Sequence, residues 1–183
     1  MKKLFTVIGL FVVIASASAE SKMSQFIDKS KLSIACQEKL VSIADGIIGI
    51  KRHRILEHNV PETKTFHAFV LLSYNDQDSH LSFTAIPTVD KNNHENCQIN
   101  VNESYQLPAD CLDAREFIFK RWKLLGKLNE ETFVLRYDHP RNKKELPQNE
   151  KARAMAYLTM TSNGRACLIT KQQQNVPALP REE

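Results

Sequence analysis

The residues able to do chemistry are few and scattered. His53 and His58 stand five apart, which does not place both on one helical face. His94-Glu95 opens like the zinc-protease pattern H-E-x-x-H, but Gln98 occupies the second histidine's place. His80, Asp90, His94 and Glu95 flank one expected hairpin and read as solvated loop residues rather than a zinc set. His67 falls inside an apolar run and reads as a core histidine. No G-x-S-x-G elbow presents a serine. The five glycines build no phosphate loop, and one of them, Gly9, belongs to the leader. Twenty-one acids leave a carboxylate pair for glycoside cleavage open, since two acids need only meet in space. No catalytic residue, no metal and no cofactor is expected.

The four cysteines, Cys36, Cys97, Cys111 and Cys167, speak of compartment more than of catalysis. A cysteine nucleophile needs a free thiolate. An even count in an exported chain predicts disulfides instead. There is no C-x-x-C, so neither a redox pair nor a zinc ribbon is suggested. Of three connectivities, the local Cys97–Cys111 pair is expected, leaving Cys36–Cys167 to tie front to back. Export itself is read from the N-terminus. Lys2 and Lys3 precede Leu4 to Ile14, apolar except for Thr6 and Gly9, and Ala17-Ser18-Ala19 follows. That order predicts a signal peptide over 1–19, cut after Ala19. The run is too short to span a bilayer of about 30 Å. No cysteine stands near the cut to carry a lipid anchor. The expected location is periplasmic or secreted.

Cleavage removes two lysines and no acids, so the formal net charge falls from +4 to +2. That balance argues against nucleic acid, which demands a strongly basic face. The remaining chain holds no second apolar run of membrane length.

One surface feature stands out. Lys120-Arg121-Trp122-Lys123 and Lys127 sit among Phe117, Phe119, Phe133 and Tyr137. On a strand, Ile118, Lys120, Trp122 and Leu124 would share a face. A core strand does not normally carry successive charges, and a fully solvated one has little use for Trp. Arg121, Trp122 and Lys123 are therefore the candidate partner-binding residues, because Trp and Arg concentrate at interface hot spots. A ring stacked on a sugar, or a partly buried Trp122 with a solvated cationic rim, are the competing readings. Lys51-Arg52-His53-Arg54 is a second basic patch.

The elements that must position these residues follow from periodicity. Leu32, Cys36, Leu40, Ile43, Ala44 and Ile47 recur at intervals of three and four, an amphipathic helix capped near Asp28 or Ser30 and stopped at Gly46 or Gly49. Thr65 to Tyr74 and His80 to Thr88 read as a hairpin, and Cys97 to Asn102 alternates as a half-buried strand. Glu116 to Leu124 and Thr132 to Tyr137 read as two more strands, with a helix over Leu112 to Leu125 competing for the first. Ser162-Asn163-Gly164 signals a final hairpin. No internal repeat is visible. The predicted fold is α+β: an N-terminal amphipathic helix packed on a meandering antiparallel sheet, stapled by disulfides. The expected organisation is a single domain over 20–171 and a polar C-terminal tail over 172–183.

Such a chain suits a non-catalytic exported protein-binding domain, of the immunity or inhibitor type that blocks a partner protein in the bacterial envelope. A small envelope hydrolase without a recognised motif, or a glycan or small-ligand binder, is the alternative.

Overall fold

The computed structural model describes residues 23–27, 30–60, 64–74, 77–89, 95–138, 153–161 and 164–176. The expected signal peptide over 1–19 lies outside them, as do Asp90 and His94. The first described elements are a short turn of helix, α1 (Ser24–Ile27), and then α2 (Ile34–Ile48). Four strands follow: β1 (Arg52–Val60), β2 (Thr65–Ser73), β3 (Asp78–Val89) and β4 (Glu95–Leu107). A short helix α3 (Cys111–Asp113) continues into a π-helical turn (Ala114–Ile118). Four more strands complete the described elements: β5 (Lys123–Lys127), β6 (Thr132–Asp138), β7 (Arg153–Met160) and β8 (Cys167–Gln174). β8 runs three residues into the segment expected as a tail, and the Val176 N–H still donates to the Ile99 carbonyl at 3.1 Å.

The expected α+β fold, a helix packed on a meandering sheet, is corrected. Among the described residues the molecule is one eight-stranded antiparallel sheet, in the order β1-β2-β3-β4-β8-β7-β6-β5, and strand outweighs helix 56% to 22%. Lengths explain why the helix cannot define the architecture. Fifteen residues make a helix about 22 Å long. Eight strands at about 4.8 Å spacing make a sheet about 34 Å across. The buried stripe Cys36, Leu40, Ile43, Ala44 and Ile48 accordingly joins a core with α1 and the first four strands, in one half of the sheet. A second core, with Phe119, Phe133, Leu135, Leu158 and Ile169, lies in the other half.

The two halves repeat one topology. Each is a helix followed by a four-stranded meander, and their last strands, β4 and β8, pair antiparallel at the centre of the sheet. Equivalent rows of buried side chains cross each half: Phe66–Ala85–Ile99 in the first and Phe133–Leu158–Ile169 in the second. The disulfides repeat as well. Cys36 of α2 bonds Cys97 of β4, and Cys111 of α3 bonds Cys167 of β8. An approximate two-fold axis passes between the paired residues Asn102 and Gln172, each five residues beyond the cysteine of its strand. The repeat is one of topology and buried rows, not of sequence motif.

This connectivity overturns the expected Cys97–Cys111 and Cys36–Cys167 pairs. Cys97 and Cys111 are close in sequence, but nearly the whole of β4 lies between them. Ten residues of strand from Cys97 to Leu107 span about 33 Å. A disulfide tolerates a Cα–Cα distance of about 7 Å at most. The observed pairs hold their Cα atoms 5.1 and 4.9 Å apart. Two disulfides and no free cysteine are consistent with an oxidising, exported location. No described helix is long and apolar enough to cross a membrane.

Candidate functional site

The expected strand Glu116 to Leu124 is instead a helical turn and then a short strand. Asp110 starts the turn, its Oδ1 accepting the Leu112 N–H at 2.6 Å. The chain then widens: the Phe119 N–H reaches back five residues to the Ala114 carbonyl at 3.1 Å. The Trp122 N–H bonds the Phe119 carbonyl at 2.8 Å, and β5 begins only at Lys123. Trp122 therefore sits in the turn before β5, and does not share a strand face with Ile118, Lys120 and Leu124.

This route inserts Phe119 into the second core and leaves Trp122 half-buried. The indole meets the Phe119 ring edge-on at 5.2 Å and the Tyr137 ring at 5.4 Å. Its neighbours Lys120, Arg121 and Lys123 are all exposed. Lys127 lays its ammonium 4.8 Å over the Phe133 ring, a cation–π contact on the roof of the second core.

Apolar groups crowd the same stretch. Six of the thirteen exposed large apolar side chains among the described residues fall within 112–128. Phe117 is 74% exposed, Leu128 70% and Ile118 53%. Single exposed apolar residues are ordinary on a protein surface, and six within seventeen consecutive positions is a concentration that suits a contact surface. Five cations in the stretch, Arg115, Lys120, Arg121, Lys123 and Lys127, face two acids, Asp113 and Glu116. The composition of this segment was legible in the sequence through Arg121, Trp122 and Lys123. The sequence places Phe117 and Ile118 beside the cations without showing that they are exposed, and gives no sign of Leu128, because exposure depends on the turn and short strand the chain adopts there.

A polar cluster lies at the seam between the halves. Lys171 of β8 donates to Glu103 of β4 at 2.7 Å, and the Ser79 hydroxyl donates to the same carboxylate at 3.0 Å. The Lys171 ammonium also sits 4.8 Å over the Tyr105 ring. Burial pulls the Lys171 pKa down, but the Glu103 carboxylate and Tyr105 outweigh it and hold it above the ordinary lysine value. Burial raises the Tyr105 phenol against the opposing pull of Lys171. Burial, then Glu103, raises Tyr74. This cluster does not suit catalysis. Ser79 is 1% exposed and out of a substrate's reach. An ammonium held charged cannot accept a proton as a general base at neutral pH.

The described histidines stay apart from both sites. His58 and His67 are cross-strand neighbours with rings 6.4 Å apart, and His67 is part-buried against Thr84 Oγ1 at 3.1 Å. His53 turns its Nδ1 to the Lys51 carbonyl. Among the described residues no three of His, Cys, Asp and Glu converge in a way that would hold a metal ion. Comparison with models of known protein families, with curated proteins and with solved structures found no match, so the site stands on its own geometry.

Proposed function

We propose that this chain is a non-catalytic, exported protein-binding domain that blocks a partner in the periplasm, in the manner of an immunity or inhibitor protein. The observation that carries the reading is the apolar and cationic surface of 112–128, built around Trp122 and presented at the β5 edge of the sheet. Phe117 and Ile118 would bury apolar area on contact, and Arg121 and Lys123 would steer an acidic partner. The disulfides support an exported setting, and Phe119 and Cys111 anchor the segment in the second core.

Site-specific photocrosslinking in the exporting cell tests this. A benzophenone side chain at position 117 should capture one discrete protein. The same group at Gln172, exposed at the centre of the sheet's other face, should not. No adduct at 117, or the same set of adducts at both positions, would contradict the proposal.

A further inference from the structure

The two edges of the sheet are built differently. β5 is five residues long, its register slips between Leu124 and Gly126, and lysines stand at both ends. Short length, a bulge and lysines are the devices that stop an edge from pairing with another chain. β1 has none of the first two. It is nine residues long and pairs with β2 residue for residue without a slip. Its other side has no neighbouring strand among the described residues.

Charge decides which chain such an edge would accept. Arg52, Arg54, Leu56 and His58 alternate on the open face of the sheet and are exposed. Leu56 pairs across to Phe69, and both are bare, at 68% and 50% exposure. No ion pair holds Arg52 or Arg54 among the described residues. His67 and His80 lie on the same face on the next two strands, and Asp78 is the one acid there among the described positions of β1, β2 and β3. Two arginines repel a second copy of the same edge and attract an acidic one.

We propose that β1 is a docking edge for an extended acidic segment of another protein, which adds to the sheet as a ninth strand. Its backbone would take the free hydrogen bonds of β1. Alternate carboxylates of the segment would share the face of Arg52 and Arg54, and the stem of the next one would lie over Leu56 and Phe69. This surface lies at the opposite edge from 112–128 and does not depend on it.

The test uses two nine-residue peptides, one alternating Glu and Val and one alternating Lys and Val, with amide hydrogen exchange on the intact protein. The Glu peptide should slow exchange in 52–60, with binding that weakens steeply as salt rises. The Lys peptide should leave 52–60 unchanged. The double variant Arg52→Glu/Arg54→Glu, checked for an unchanged circular dichroism spectrum, should bind the Glu peptide at least tenfold more weakly. Absence of protection by the Glu peptide at millimolar concentration would overturn the proposal. So would equal binding of the two peptides, full binding by the double variant, or a peptide-free dimer that already protects 52–60.

Discussion

Lys171 and Glu103 form the ion pair that joins the two halves of the molecule, with side chains 22% and 19% exposed. Their row crosses the sheet from Val70 and Leu81 on one side to Ala156 and Leu135 on the other, so the pair is set among apolar neighbours. Lys171→Met strands the carboxylate. It should cost about 2 kcal/mol by chemical denaturation, between the worth of an exposed pair and that of a buried one. The double variant Glu103→Leu/Lys171→Met should recover most of that loss. The pH dependence has a definite sign. A lysine whose pKa is raised on folding contributes stability that is complete below its unfolded value and lost as pH climbs through the folded one. Melting temperature should therefore fall more steeply in the wild type than in the double variant as pH rises past the ordinary lysine range. Glu57 gives a second residue-scale expectation. Its Oε2 is buried with no hydrogen-bond partner. Glu57→Leu should raise stability by about 1 kcal/mol in the same denaturation experiment, because it removes an unsatisfied polar atom.

Elements explain what the sequence disclosed and what it hid. The stripe of α2 was legible because a 3.6-residue period over fifteen positions has no strand counterpart. The β2–β3 hairpin was legible as two apolar runs around a polar stretch, and the turn before β8 from Gly164, which adopts a left-handed φ of 62°. The stretch 111–127 was not, since Phe117, Ile118 and Phe119 are contiguous apolar residues that suit a strand or a helix. The chain uses both in turn there. The disulfide pairing was hidden for a different reason: nearness in sequence is not nearness in space, and β4 separates Cys97 and Cys111 by nearly its whole length. Peptide mapping without reduction should recover Cys36 with Cys97 and Cys111 with Cys167. Each bond closes a long loop, with sequence separations of 61 and 56. Replacing either pair with serines should cost about 4 kcal/mol in the chain-entropy model. Trp122 belongs to this scale too. Packed between Phe119 and Tyr137, it holds the π turn on the second core, so Trp122→Ala should lower the melting temperature as well as any affinity. Phe117, Arg121 and Lys123 are the residues whose loss separates binding from folding.

At the scale of the molecule, the doubled topology was invisible because the halves share geometry rather than residues. Phe66 and Phe133 occupy equivalent rows, but α2 has fifteen residues where α3 and its π turn have eight. The second half buries its core with the shorter helix all the same, and the six exposed apolar groups of 112–128 lie on that helix, its turn, β5 and the residue after it. The surface to which we assign binding therefore sits where the two halves differ most. The most direct test is the affinity of the protein captured at position 117, measured by calorimetry for the wild type and for Phe117→Ala/Arg121→Ala/Lys123→Ala. All three side chains are exposed, so the variant should melt as the wild type does. The account predicts a loss of affinity of about a hundredfold, roughly 3 kcal/mol spread over three contacts. Unchanged affinity with an intact fold would contradict it.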